Sequence, residues 1–246
     1  TPTEMLKGFL LSRFYDTKKR EQANNFWKES MKELHSYDKD EDQRFIQSWL
    51  RAKYADTIRQ GKQGSQNEDF EKIGTRFHNW VRENLKKMNI NENSSETFSL
   101  FIDKDFDFYL KAYLIIMEGI RDLQDDLEYL YYIDDWGIAT SLSYPLLLSS
   151  LNLEDSTIII KQKMNLVAKY IEAFVVRRAI NYKKFASSSI RYTMYTLVKE
   201  IRGKSLEELE TILSTKLSTM QEKWDGIDSF RMHGQNKGFV KFLLSR

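Results

Sequence analysis

Apolar side chains recur at intervals of three or four residues along most of the chain, and this spacing places them on one face of an α-helix. Between residues 46 and 58 the interval is four, at Ile46, Leu50, Tyr54 and Ile58. Between residues 160 and 174 it alternates between four and three, at Ile160, Met164, Val167, Ile171 and Phe174. The strict alternation that marks β-strands is missing. The pattern predicts an all-α protein of roughly ten helices.

Signals for helix ends support this prediction. Thr1 is a good N-cap, Pro2 suits the first turn, and Glu4 stands where a capping box needs it. A second capping box begins at Ser205, and Gly203 is expected to end the helix predicted over Ser187–Arg202.

The polar stretch at residues 89–96 predicts how the chain is divided. Residues 89–96 hold three Asn and two Ser, which is typical of a boundary. We predict an N-terminal helical lobe over residues 1–88 and a C-terminal helical lobe over residues 97–246, with one continuous domain as the alternative. The chain opens without an initiating Met and stops inside the apolar run Phe242–Arg246, so we expect an internal piece of a larger protein.

The amino-acid composition narrows the class of protein to which the chain can belong. Two Pro and ten Gly among 246 residues leave few helix breaks, and 41% hydrophobic residues can form a core. The lack of Cys excludes disulfides and thiolate chemistry. No apolar run approaches the roughly 20 residues of a membrane span, so we expect a cytoplasmic protein without membrane contact. The net charge of +2 means that any attraction to nucleic acid comes from local clusters.

Residues 118–135 are strongly acidic, because they include seven Asp and Glu and only one Arg. Such a cluster can hold Mg²⁺ or perform acid–base catalysis, but more often it is a solvated face or docks a basic partner. The three His are too far apart for a metal motif, and the loop 61–65 lacks the spacing of a phosphate-binding loop. We predict no catalytic residue, no metal site and no cofactor in this chain.

The strongest functional signal is basic, since residues 177–204 hold eight Lys and Arg against one Glu. The predicted helix Ser187–Arg202 has an apolar face formed by Ile190, Met194, Leu197 and Ile201. A second stripe on this helix is formed by Arg191, Tyr195, Lys199 and Arg202. A basic stripe that includes an aromatic ring suits a phosphate backbone. The alternatives are a solvated face, ion pairs with residues 118–135, or a surface for another protein. The candidate nucleic-acid-binding residues are Arg177, Arg178, Lys183, Lys184, Arg191, Lys199 and Arg202.

Five segments together resemble the middle region of GmrSD-type, modification-dependent (type IV) restriction endonucleases of bacteria. They are Thr1–Arg13, Asp40–Tyr54, Tyr144–Leu151, Val175–Gly203 and Phe230–Arg246. The resemblance covers essentially the whole chain in order, and it comes from the combination of segments and not from a catalytic motif.

The resemblance implies a role in phage defence. In that family an N-terminal ParB/sulfiredoxin-like domain carries an Asp-Gly-Gln-Gln-Arg motif linked to nucleotide hydrolysis, and a C-terminal domain carries a His-Asn-His-type nuclease centre. Neither motif occurs in this sequence. The implied function is a helical connector between an NTP-hydrolysing module and a DNA nuclease, which would use the NTP and a divalent metal. The implied partners are these flanking domains and DNA. The alternative is a protein-interaction or homo-oligomerisation module that contacts no nucleic acid.

Overall fold

A computed structural model describes residues 1–234 and 236–246, including every side chain in these ranges except that of Ser245. Within the described residues 67% are helical, no strand occurs, and twelve helices form if a continuous helical run is counted once. Ten of these helices have at least seven residues. The all-α prediction of roughly ten helices is therefore confirmed.

The chain divides into two compact units, Thr1–Ile115 and Ile116–Arg246. The sequence analysis placed a boundary at residues 89–96, a stretch that lies inside the first of these units. The first unit contains α1 Pro2–Leu11, α2 Thr17–His35, α3 Glu41–Tyr54, α4 Asp69–Glu83, α5 Ser95–Leu100, a π-helical segment Phe101–Phe106, and most of α6 Asp107–Arg121.

Aromatic rings form the core of the first unit. The Trp49 ring stacks on Phe101 with ring centroids 5.1 Å apart, and it meets Phe106 edge-on at 5.8 Å. Phe106 also stacks on Trp27 at 4.7 Å. The π-helical segment explains this arrangement, because its i→i+5 hydrogen bonds return residues five apart, such as Phe101 and Phe106, to one face.

The four-residue interval that predicts α3 continues to Ile58, but the helix ends at Tyr54. Carboxylates near the start of α4 accept hydrogen bonds from backbone amides that would bond within the helix if α3 were longer. The Asp56 N–H donates to Asp69 Oδ2 at 2.9 Å, and the Arg59 N–H donates to Glu71 Oε2 at 2.9 Å. These bonds stabilise an extended connection.

The second unit is built around one long helix. Its elements are α7 Glu128–Tyr131, α8 Thr140–Ser149, α9 Thr157–Ile180, α10 Ser187–Ile201, α11 Leu206–Thr219, α12 Gly226–Ser229 and α13 Lys237–Ser245. Helix α9 packs against α7, α8, α11 and α12, and α8 also packs against α10. Residues 142–149 of α8 are all buried, as the apolar run Tyr144–Leu148 predicts.

Both predicted N-caps lie at helix starts, and at Ser205 the capping box is complete, because the Ser205 N–H donates to Glu208 Oε2 at 3.0 Å. The Glu4 N–H donates to the Thr1 hydroxyl at 3.3 Å, and the Glu208 N–H donates to the Ser205 hydroxyl at 3.3 Å. Gly203 follows α10 with φ +64° and donates its N–H to the Ser149 carbonyl at 2.9 Å. In the part of the chain that the structure describes, no helix is both long and apolar enough to span a bilayer.

Candidate nucleic-acid interface

The basic segment begins at the carboxyl end of α9. The helix starts at the N-cap Ser156, whose hydroxyl accepts from the Ile159 N–H at 3.4 Å, and ends at the C-cap Asn181. Tyr182 then takes a left-handed conformation with φ +55°. The Lys183 N–H donates to the Arg178 carbonyl at 2.8 Å, which closes the helix end in the manner usually left to glycine.

Arg177 lies under this corner and is only 4% exposed. Its guanidinium donates to the carbonyls of Leu217 at 2.5 Å and of Glu222 at 2.7 Å from Nε, with a longer bond of 3.4 Å to Met220. The Leu217 carbonyl lies in the last turn of α11 and the other two follow that helix, where the helix dipole is negative and favours a cation. Arg177 was predicted to contact phosphate, but a group so deeply buried binds the protein and cannot reach a surface ligand.

Arg178 and Asn181 anchor the same corner from α9. The Arg178 guanidinium donates to the Lys184 carbonyl at 2.6 and 3.0 Å and to Glu222 Oε1 at 3.0 Å. The Asn181 amide donates to the Lys223 carbonyl at 2.7 Å. Arg178 is thus partly buried and holds the loop that presents Lys183 and Lys184, whose own side chains are exposed.

The stripe predicted on α10 does not form as a continuous surface. Tyr195 was expected to lie on it and is 3% exposed, because the buried surface of α10 is wider than its apolar stripe. The apolar face itself is as predicted, with Ile190, Met194, Leu197 and Ile201 all buried. The exposed aromatic ring of α10 belongs to Tyr192 instead.

The remaining candidates divide by exposure. Lys199 is exposed and its Nζ lies 5.8 Å from the Tyr195 ring centroid, whereas Arg191 and Arg202 are half-buried. The structure therefore brings Arg178, Lys183 and Lys184 together at the end of α9 and places the other three along α10. We call residues 177–184, together with the segment 217–231 that they bind, the α9 corner.

The sequence analysis missed several side chains of the α9 corner. The rings of Tyr182 and Trp224 are exposed, as are the cations Lys223 and Arg231. Residues 220–234 show no helical period, so the pattern does not predict which of their aromatic rings face solvent.

Tyr170 lies in the buried part of α9. Burial raises the pKa of its phenol, nearby Glu200 adds to the effect, and Arg177 opposes it. A phenol is already neutral at physiological pH, and the raised pKa keeps Tyr170 neutral into the alkaline range as well.

The acidic residues 118–135 do not supply the buried pair that catalysis would need. Asp122, Asp125 and Asp126 are exposed. Lys161 Nζ binds Asp126 Oδ2 at 2.8 Å, and Arg246 Nη1 binds Glu128 Oε1 at 2.6 Å. Among the described residues no group of three or more His, Cys, Asp or Glu side chains is placed to hold a metal ion.

The first unit holds a buried polar network at the start of α3. Glu41 accepts from the Tyr113 hydroxyl and from Arg44 Nη1 at 2.7 Å, and Asp42 lies 3.3 Å from His35 Nε2. Each carboxylate thus has a partner that satisfies its buried oxygens, and the negative charges suit a helix N-terminus. This arrangement is what a structural network requires.

The first unit also contains an open cleft of about 930 Å³ formed by residues 82–87 and 89–93. Three of its polar side chains bind other groups of the protein. Lys87 Nζ binds Asp69 at 2.6 Å, the Asn84 amide donates to the Trp80 carbonyl at 2.8 Å, and Glu92 binds Arg13 at 2.9 Å. The residues that line the cleft include no aromatic ring, whereas the α9 corner combines exposed cations with the exposed rings of Tyr182 and Trp224, so the α9 corner is the better candidate site.

The fold and this site define an all-α protein with a basic and aromatic corner. Comparisons of the chain with protein-family models, with curated proteins and with solved structures found no match.

Proposed function

We propose that this chain is a non-catalytic helical module that binds the nucleic-acid backbone through the exposed cations at the α9 corner and on α10. The observation that carries the proposal is the placement of Lys183 and Lys184. Both side chains are exposed, while their loop is fixed from below by two bonds from Arg178 to the Lys184 carbonyl. A rigid scaffold with outward lysines can place positive charge along phosphates.

The wider role in this proposal rests on the five segments that resemble GmrSD-type enzymes. The module would connect an NTP-hydrolysing domain to a DNA nuclease domain in a modification-dependent restriction endonuclease of phage defence. The chain's own contribution would be spacing and backbone contact, and the NTP and divalent metal would belong to the flanking domains.

The test is duplex DNA binding as a function of salt. Each phosphate contact adds about 0.9 to the slope of log affinity against log salt. The double variant Lys183→Glu/Lys184→Glu should weaken binding and lower the slope by about 2, because two contacts are lost. The matched control is Lys18→Glu/Lys19→Glu, an exposed lysine pair at the start of α2, which should leave both quantities unchanged. Equal effects of the two pairs would refute the proposed surface.

A protein-interaction or oligomerisation module is the second candidate. Exposed apolar side chains favour it, since Trp224, Ile227 and Met232 stand within nine residues of each other at 55%, 49% and 68% exposure. Light scattering would show a stable dimer in this case, and duplex DNA would not be retained. Substitution of Trp224 by Asp would then return the mass to that of a monomer.

A further inference from the structure

Two aromatic rings at the α9 corner face solvent. Tyr182 is 53% exposed and Trp224 is 55% exposed. The chain has five Trp, and the other four are at most 3% exposed. A large aromatic ring that stays exposed lacks the stabilisation that burial would give it. Two such rings at one corner therefore suggest a ligand that covers them.

Hydrogen bonds attach Tyr182 and the backbone beside Trp224 to one another's segments. The Tyr182 hydroxyl accepts from the Arg231 N–H at 2.7 Å and lies 3.3 Å from the Ser229 carbonyl, to which it donates. Asn181, the residue before Tyr182, binds the carbonyl of Lys223, the residue before Trp224. The guanidinium carbon of buried Arg177 lies 5.9 Å from the Trp224 ring centroid. Both rings are therefore positioned by the end of α9.

The backbone of Tyr182 points to a role beyond helix termination. A bulky residue with φ +55° is strained, and glycine would end α9 at lower cost. The hydroxyl bonds hold the tip of the side chain, and the Phe230 ring packs against the Tyr182 ring with centroids 5.6 Å apart, yet about half of Tyr182 stays exposed. Strained residues of this kind persist at ligand clamps.

The chain segments that carry the two rings have an excess of exposed cations. Lys183, Lys184, Lys223 and Arg231 are exposed, against two exposed carboxylates, Asp225 and Asp228. Exposed aromatic rings combined with an excess of positive charge are the features that bind single-stranded nucleic acid, because bases stack on rings while cations follow phosphates. A protein partner would instead have to desolvate lysines, which are depleted in the cores of protein interfaces.

We propose that Tyr182 and Trp224 form a stacking platform for the unpaired bases of single-stranded nucleic acid. This inference rests on the proposed function, since the same corner supplies the backbone contacts. It adds the strand class: the corner would prefer unpaired bases to an intact duplex.

The experiment compares two probes on the full 246-residue chain. They are a fluorescein-labelled 15-nucleotide oligothymidine and a labelled duplex of the same length, both followed by fluorescence anisotropy. Tyr182→Leu and Trp224→Leu should each weaken oligothymidine binding about tenfold. Duplex binding should change less than twofold. The matched control Tyr182→Phe removes the hydroxyl but keeps the ring, so it should retain oligothymidine affinity.

A second measurement needs no substitution. Because the other four Trp are buried, quenching of tryptophan emission by iodide reports mainly on Trp224. Oligothymidine should protect this emission, and the duplex should not.

The outcomes separate the two proposals. Duplex binding that depends on Lys183 and Lys184, with no stacking effect of either ring and no protection from iodide, would overturn the platform and leave the backbone surface standing. Binding of neither probe would overturn both. Self-association that Trp224→Leu abolishes, without oligonucleotide binding, would assign the rings to a second copy of the chain and overturn the platform.

Discussion

Arg177 offers the sharpest test of how the α9 corner is built. The variant Arg177→Met keeps most of the length and apolar stem of the side chain but removes the guanidinium. Three main-chain carbonyls, those of Leu217, Met220 and Glu222, then lose their buried donor. The turn that follows α11 would keep its sequence but lose its anchor to α9.

The expected loss of stability follows from these bonds. A hydrogen bond from a charged donor contributes roughly 1.5–3 kcal/mol, and two carbonyls, those of Leu217 and Glu222, receive short ones. Both residues are half-buried, so water can replace part of what is lost, and removal of a buried charge also relieves its desolvation. We expect a net destabilisation of about 3 kcal/mol.

Urea unfolding and hydrogen exchange measure this loss together. Tryptophan emission should shift early in the titration, because Trp224 lies beside Arg177, and amides of residues 217–224 should exchange faster. The matched control Lys183→Met removes an exposed cation from the same corner and should stay within about 0.5 kcal/mol of the parent. A change of less than about 1 kcal/mol in Arg177→Met, with unaltered exchange at residues 217–224, would refute the assignment of Arg177 as an anchor.

Three further predictions concern single side chains. Burial alone would raise the pKa of Asp69, but hydrogen bonds from Lys87, the Asp56 amide and Trp80 lower it. The ionised carboxylate therefore stabilises the fold above about pH 4, and this stabilisation is lost as pH falls through the lowered pKa. Asp69→Asn should flatten the acid side of a stability–pH curve measured by urea unfolding. Ser205→Ala removes the N-cap of α11 and should cost about 1 kcal/mol in the same assay, whereas Ser205→Asp should restore it. Gly74→Ala places a Cβ on the Arg51 guanidinium, which two bonds to the Phe70 carbonyl hold in place, so melting should show a loss of about 1–2 kcal/mol despite the better helix propensity of Ala.

The helices could be predicted well from the sequence, because a helix that buries one face needs apolar residues at every third or fourth position. On α10 the positions Ile190, Met194, Leu197 and Ile201 were expected to face inward, and all four are buried. The pattern failed for Tyr195, which lies beside that face. When the rest of the protein covers more of a helix than its apolar stripe, residues beside the stripe are buried as well. How much of the helix is covered depends on tertiary packing, which the spacing of apolar residues does not predict.

The site was less predictable, because charge in a sequence does not reveal burial. Arg177 and Lys183 look alike in a count of cations, yet one is satisfied by carbonyls some 40 residues later and the other faces solvent. Trp224 has no periodic neighbours that would fix its exposure. Long-range hydrogen bonds decide both cases.

Anchor and ligand-binding residues at the α9 corner should therefore respond differently to the same assay. Arg177 positions Trp224 without touching a phosphate, so its loss should weaken binding of oligothymidine while leaving the salt slope intact. Loss of Lys183 and Lys184 should lower the slope for every probe, because each contact releases counterions. Loss of the Tyr182 ring should weaken oligothymidine binding alone. A corner in which all of these changes lowered the slope alike would be a diffuse patch of charge, and the rings would have no separate role.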